Sequence, residues 1–318
     1  MPRVVIVDPP SADTSLERAV AEQHGASFIV HVGTGASEAR DAVRGADIVL
    51  VNLMPMDAET LRELNPRAVV IRYGVGTDNI DLSAAERLNI TVANATGYGV
   101  ETVAEHAASC LIALLRRLPH FTASIRSGDW PSAATFGAIQ TFTETTIGLI
   151  GAGEIGLALA ARLRGFGFRL LAHDSRYSAG DLGDHGVTVV GLTQLLEESD
   201  AVSLHVPLVA ETRGLVDTRR IKSMRPNAVL VNTSRGGVVD EGALIEALRA
   251  GHLAGAALDV FEEEPLPMDS PLRRLDNVIL TPHVGYYSSA SMLALQRLVS
   301  EELDLALRGV PLKNRVGA

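Results

Sequence analysis

The stretch Thr146-Ile147-Gly148-Leu149-Ile150-Gly151-Ala152-Gly153-Glu154-Ile155-Gly156 decides the fold. An apolar run that ends in a Gly-x-Gly-x-x-Gly turn and continues into the helical pattern Leu157 to Arg164 reads as strand, tight turn and helix in succession. Each glycine has its own task. Gly151 permits the turn, Gly153 lets a pyrophosphate approach the backbone, and Gly156 lets the helix pack closely on the strand. The amides of Glu154 and Ile155 then fall at the helix N-terminus, where the dipole favours an anion. A second strand pattern, Arg169 to His173, ends in Asp174, 18 positions past Gly156. That is close to the offset of about 20 expected of an acid that accepts the adenosine ribose hydroxyls. The segment is therefore a dinucleotide site. Its carboxylate would repel a 2′-phosphate and so favours NAD over NADP, with Arg176 the nearby cation that opposes this preference.

Downstream, three successive strand patterns end in polar residues. Ala228 to Thr233 leads into Ser234-Arg235-Gly236-Gly237, Gly255 to Phe261 into Glu262-Glu263-Glu264-Pro265, and Val278 to Pro282 into His283. Open parallel sheets bind ligands at the carboxyl ends of their strands, so an arginine, a carboxylate and a histidine can converge on one face. Each has a use in hydride transfer to a 2-keto acid. Arg235 offers forked donors to a carboxylate and a carbonyl, His283 can supply the proton for the developing alkoxide, and Glu264 can orient the ring and favour its charged form. Singly, each reads as an ordinary surface residue; their arrival on consecutive strands after a dinucleotide fold is the signal.

The first part of the chain alternates in the same way. Val4 to Val7, Phe28 to Val32, Ile48 to Val51, Val69 to Arg72 and Thr91 to Ala93 read as buried strands, with amphipathic stretches such as Ser15 to His24 and Asp81 to Leu88 between them. Strands separated by helices need crossover connections, which gives a parallel sheet. A long apolar helix is expected over Val100 to Leu118, closed by Pro119, and a final helix over Ser288 to Arg308. With 318 residues, 47% hydrophobic and only 4% aromatic, the chain has material for two aliphatic-cored α/β domains.

Several function classes are excluded. A formal charge of −10 with no basic cluster argues against nucleic acid. No run of about 20 apolar residues suggests a membrane span. The single cysteine, Cys110, reads as a small buried hydrophobe, no intrachain disulfide is possible, and the N-terminus lacks a signal h-region, so a cytoplasmic protein is expected. Lys222 and Lys313 are the only lysines and neither follows a glycine, which removes a Walker A loop. Gly-x-Ser-x-Gly, His-Glu-x-x-His and Cys-x-x-Cys are all missing, and no metal is expected.

Taken together, Gly151 to Gly156 (GAGEIG), Asn232 to Asp240 (NTSRGGVVD), Leu258 to Pro265 (LDVFEEEP) and Thr281 to Gly285 (TPHVG) resemble the ordered signatures of the D-isomer-specific 2-hydroxyacid dehydrogenases. Arg72 to Asp81 (RYGVGTDNID) and Val103 to Ala107 (VAEHA) extend the resemblance into the first part of the chain. It implies two doubly wound parallel-sheet domains: a Rossmann NAD-binding domain, 99–286, and a flavodoxin-like substrate domain, 1–98 plus 287–318, with the active cleft between them. It also implies NAD-dependent oxidoreduction at the CH–OH group of a small 2-hydroxy or 2-keto acid. Arg235 would be the substrate-binding arginine, His283 the acid/base and Glu264 its partner, with the amides of Val75 and Gly76 on the substrate carboxylate. Thr233, Ser234, Asp259 and Gly285 would meet the nicotinamide half, and His205 and Pro207 would line the cofactor groove. A homodimer with Val100 to Leu118 near its interface is implied, and a structural or interface role is expected for His106. Gly285-Tyr286-Tyr287-Ser288 is similar to the branch that holds the C-terminal binding proteins, NAD(H)-binding corepressors. That similarity leaves a nicotinamide-sensing scaffold as one alternative, and an oxidoreductase of phosphite or formate, which shares much of the same framework, is a second. Tyrosines so near His283 suit a bulkier or apolar keto acid. The chain closes directly after its last helix, so the extra regulatory domain of many phosphoglycerate dehydrogenases is not expected.

Overall fold

A computed structural model of the chain describes residues 1–32 and 36–317. These form two compact units, one of residues 1–99 with 288–318 and the other of residues 100–287. The first unit opens with β1 (Arg3–Val7), α1 (Ser15–Gln23), β2 (Ser27–His31), α2 (Ala36–Val43), β3 (Ile48–Val51), α3 (Ala58–Arg62), β4 (Val69–Arg72), α4 (Leu82–Arg87) and β5 (Thr91–Asn94). The second unit contains α5 (Val100–Leu115), α6 (Leu118–Arg126), β6 (Thr146–Ile150), α7 (Glu154–Arg164), β7 (Arg169–His173), β8 (Thr188–Val189) and α8 (Leu192–Glu198). It continues with β9 (Ala201–Leu204), α9 (Thr218–Ser223), β10 (Val229–Asn232), α10 (Glu241–Arg249), β11 (Gly255–Leu258) and β12 (Val278–Leu280). The chain then returns to the first unit with α11 (Ser289–Leu307) and β13 (Arg315–Val316).

Strand order is the decisive feature. The first sheet runs β13-β5-β4-β3-β1-β2 and the second β12-β11-β10-β9-β6-β7-β8. Apart from the short antiparallel β13 on β5, every pairing of these strands is parallel. The parallel part of the first sheet has the flavodoxin-like order, and the second has the Rossmann order with one further strand. In each, the order reverses beside the first strand of the unit, and the crevice at such a switch point is where open α/β sheets bind ligands.

Burial explains why these apolar runs become strands. Val4 to Val7 and Val49 to Val51 are fully buried in the first sheet, as are Ile147 and Leu149 in the second. Parallel strands covered on both faces lose the in-out alternation that marks half-exposed ones. Each such side chain contributes about 1.5–3 kcal/mol of transfer free energy. Leu295, Val299 and Leu303 of α11 recur at helical spacing and are buried against the first sheet, which draws the C-terminal helix back to the first unit. Ser288 caps α11 with a reciprocal hydrogen-bond pair to Ser291.

Two expectations need correction. The long helix stops at Leu115, because Arg117 adopts a left-handed conformation at φ 55°. Pro119 does not close that helix. It sits in the first turn of α6, where its missing N–H costs no hydrogen bond.

Candidate active site

The glycine turn shows why no other residue fits at positions 151 and 156. Gly151 has φ +98°, and a Cβ there would lie 2.5 Å from the His205 carbonyl oxygen; one on Gly156 would lie 2.2 Å from the Gly151 carbonyl oxygen. Over Gly153 the space is open, with only the Arg176 guanidinium 3.5 Å from a Cβ built there. The turn therefore presents bare backbone at the N-terminus of α7, the surface a pyrophosphate needs. His205 follows β9 and its ring Nε2 lies 2.9 Å from the Ser203 hydroxyl. Burial pushes its pKa down to about 4, so the ring is neutral at physiological pH. Pro207, two residues on, is exposed. Further along the same face the Thr233 hydroxyl is buried without a hydrogen-bond partner among the described residues. A bare cradle and an orphaned hydroxyl on one sheet edge fit a dinucleotide.

Asp174 is placed at the end of β7 as expected, but its carboxylate is already engaged. Oδ1 accepts from the Arg176 amide and Nε, both at 3.0 Å, and Oδ2 from the Ala152 amide and Arg176 Nη2, both at 2.8 Å. The Arg176 hydrogen bonds hold this carboxyl well below the usual carboxylate range, against an opposing push from burial. Four bonds fill the acceptor sites of a carboxylate. A ribose hydroxyl can bind there only if Arg176 lets go. Beyond the presence of Arg176, nothing in the sequence signals this clamp.

The polar residues at the ends of β10, β11 and β12 meet. Asn232, buried at the end of β10, accepts from the Ser234 amide and hydroxyl at 3.0 and 2.8 Å and donates to the Arg235 carbonyl at 2.9 Å. A Cβ on Gly236 would strike the backbone of Phe261 at 1.9 Å, so this glycine lets the arginine loop lie against the loop that follows β11. In that loop Glu264 Oε1 accepts from the Phe261 amide at 3.0 Å, and Oε2 lies 2.7 Å from His283 Nδ1. Burial pushes the Glu264 pKa up. The His283 hydrogen bond and charge, the Phe261 amide and the nearby Arg235 cation together outweigh that, and the net shift is downward. An ionised Glu264 accepts only, so His283 Nδ1 carries the hydrogen between them.

His283 has φ 53°, a left-handed conformation uncommon for a side-chain-bearing residue. Its amide is held by the Asp259 carbonyl at 2.8 Å and the Thr281 carbonyl at 3.0 Å. Asp259, 3% exposed, pins the same loop with its carboxylate, which accepts from the Thr281 hydroxyl at 2.6 Å, the Val284 amide at 2.9 Å and the Gly285 amide at 2.8 Å. A Cβ on Gly285 would lie 2.8 Å from Asp259 Oδ2. The Tyr286 ring stands edge-on to His283 with centroids 6.5 Å apart. Cys110 is buried, and burial followed by the Asp259 charge pushes its thiol up to about 11, which keeps it protonated and inert.

Within the first unit, β4 ends at a second close approach. Gly74 has φ +123°, and a Cβ there would overlap the Arg72 guanidinium. Asn94 Nδ2 donates to the Val75 carbonyl at 2.7 Å. Among the described residues the amides of Val75 and Gly76 have no acceptor.

A family model described as the NAD binding domain of D-isomer specific 2-hydroxyacid dehydrogenase matches residues 108–285, more than half of the chain. The chain belongs to the D-isomer specific 2-hydroxyacid dehydrogenase family. This is a family of NAD-dependent oxidoreductases that act on CH–OH groups, and its cofactor is the one the glycine turn fits. The chain is 42% identical over 264 residues to the glyoxylate reductase of Korarchaeum cryptofilum, covering 82% of this chain and 80% of that protein. It is 34% identical to the D-3-phosphoglycerate dehydrogenase of Archaeoglobus fulgidus over 99% of its own length, which spans 59% of that protein. The crystal structure of the TT0316 protein of Thermus thermophilus superposes with a TM-score of 0.86 at 33% identity, covering 99% of this chain and all of that one. Among the described residues no helix is long and apolar enough to cross a membrane, and no cluster of three metal-binding side chains is present.

Proposed function

We propose that this 2-hydroxyacid dehydrogenase reduces a small 2-keto acid with NADH at a site built from Arg235, Glu264 and His283. The observation that carries the reading is the 2.7 Å contact of His283 Nδ1 with Glu264 Oε2, at strand ends where Arg235 also acts on Glu264. NADH bound on the glycine turn supplies the hydride to the keto carbon. Arg235 holds the substrate carboxylate and polarises the carbonyl with its paired donors. Because Glu264 fixes one proton of His283 on Nδ1, the charged ring has its second on Nε2, free to pass to the alkoxide as it forms. General acid catalysis of this kind contributes about 10²- to 10⁴-fold.

The amides of Val75 and Gly76 are assigned to the substrate carboxylate. Their lack of another acceptor and the Asn94 bond that fixes the Val75 carbonyl support this. Thr233, Ser234, Asp259 and Gly285 are assigned to the nicotinamide half, His205 and Pro207 to the groove wall, and Asp174 to the ribose after release by Arg176. In this reading residues 99–286 bind the cofactor, 1–98 with 287–318 bind the substrate, and the enzyme is a cytoplasmic homodimer. Exposed apolar side chains at Leu118, Ile125 and Trp130, which is 91% exposed, support pairing through the second unit.

NADH oxidation against a panel from glyoxylate to branched-chain 2-keto acids tests the function, with formate and phosphite assayed in the NAD-reducing direction. Turnover of the keto acids supports the proposal. Tight NADH binding with no turnover, or activity confined to formate or phosphite, overturns it. Tyr286 beside His283 favours the apolar keto acids, and a deep preference for glyoxylate would contradict that assignment.

A further inference from the structure

Sequence pattern alone assigns His106 a structural or interface role, yet the fold carries it to the underside of the catalytic loop. It projects from α5, and its Nε2 lies 3.1 Å from the Thr281 hydroxyl and 3.8 Å from Asp259 Oδ1. The Thr281 hydroxyl has one proton and donates it to Asp259 Oδ1 at 2.6 Å. It can therefore only accept from His106, which places a proton on His106 Nε2. The bonds run in one direction, from His106 to Thr281 to Asp259, and the Asp259 carboxylate in turn receives the amides of Val284 and Gly285, which follow directly on the catalytic histidine. Without the donor at residue 106 the Thr281 hydroxyl can turn, and Asp259 loses one of the three bonds that fix its carboxylate.

We propose that His106 is a positioning residue for catalysis, acting through Thr281 and Asp259 to hold the loop that sets the imidazole of His283. The inference rests on the reading of His283 as the proton donor, but its structural part is independent of turnover. His106 is given no chemical step of its own and acts only through Thr281 and Asp259. Misplacement of a reacting group by about 1 Å can cost on the order of 100-fold, so a loosened loop lowers kcat without removing any chemical group.

The test uses His106→Leu, His106→Gln and Thr281→Val in the full chain, with the double variant His106→Leu/Thr281→Val. Hydrogen exchange of the Val284 and Gly285 amides, read by NMR in the protein without cofactor, is expected to accelerate about tenfold in His106→Leu and in Thr281→Val. Amides of α7 should exchange as in the wild type. With NADH and a keto acid, kcat is expected to fall about tenfold in both variants while the substrate KM changes less than threefold. The double variant should be no worse than Thr281→Val alone, because residues that act in series are not additive. His106→Gln keeps a donor at the same reach and should recover both readouts to within threefold of wild type. Unchanged exchange at 284 and 285, or losses that multiply in the double variant, overturns the proposal. Should the wild type fail to reduce any keto acid while the exchange pattern holds, the assigned chemistry falls and the loop-holding role stands. Robust turnover with unaltered exchange would mean the reverse.

Discussion

Replacing Glu264 by Gln removes one charge and keeps the shape of the site. At an effective dielectric of about 20 and a charge separation of about 4 Å, a carboxylate and an imidazolium attract by about 4 kcal/mol. Glu264 is 32% exposed at its side chain, so solvent screens the pair and a gain of about 1.4–2.7 kcal/mol remains. The amide also cannot satisfy both neighbours, because the Phe261 amide and His283 Nδ1 each use a separate carboxylate oxygen. If the amide nitrogen faces the ring, Nδ1 must become the acceptor and the wrong tautomer results. Glu264→Gln is therefore expected to lower kcat/KM for the keto acid about 10- to 100-fold at pH 7.5, with the Kd for NADH changed less than threefold. Steady-state kinetics and a fluorescence titration of NADH give both numbers. The pH dependence of stability has a defined sign. The Glu264 pKa lies below the ordinary glutamate value of 4.5, so the pair stabilises the fold fully above that value and is lost only as pH falls through the lowered one. The carboxylate's contribution to the stability difference between wild type and Glu264→Gln should thus shrink as pH falls below about 4.5. A kcat/KM within twofold of wild type would refute the pairing.

Other consequences can be checked separately. Gly156→Ala places a Cβ 2.2 Å from the Gly151 carbonyl oxygen, so NADH affinity should fall at least tenfold and the fold should lose about 1–3 kcal/mol, read by titration and thermal denaturation. His205 has its pKa lowered to about 4 by burial, so its imidazole resonances should not move between pH 8 and 5.5. Since the unfolded ring binds its proton first, stability should fall by about 1.4 kcal/mol between pH 7.5 and 5.5 in the wild type relative to His205→Gln. Asp174→Ala frees Arg176 and removes the charge that repels a 2′-phosphate. It should narrow the ratio of NADH to NADPH catalytic efficiencies at least tenfold, and an unchanged ratio would contradict the ribose assignment.

The sequence carries those features of the fold that depend on local pattern. The run Thr146 to Gly156 declares its turn because Gly151 and Gly156 answer close contacts and Gly153 leaves the backbone bare, and aliphatic strands covered on both faces announce themselves by composition. That Arg235, Glu264 and His283 follow strands ending on one side is legible from the parallel order alone, and the Glu264–His283 contact at 2.7 Å lies there. Contacts between distant positions are not legible. His106 and Thr281 are separated by 175 residues, and no spacing joins them. The break before Pro119 escapes a reading by pattern because a proline can both end one helix and start the next, and only the left-handed Arg117 distinguishes the two. The Arg176 clamp on Asp174 is hidden for a different reason: two residues apart, the pair could as well have pointed away from each other.

The sharpest check on His283 as proton donor to the alkoxide, with NADH as hydride donor, is single-turnover reduction of a 2-keto acid by the His283→Ala variant preloaded with NADH. NADH should still bind within about threefold of the wild-type Kd while the rate of its oxidation falls by about 10² to 10⁴. Oxidation at the wild-type rate in that variant would remove His283 from the proton transfer.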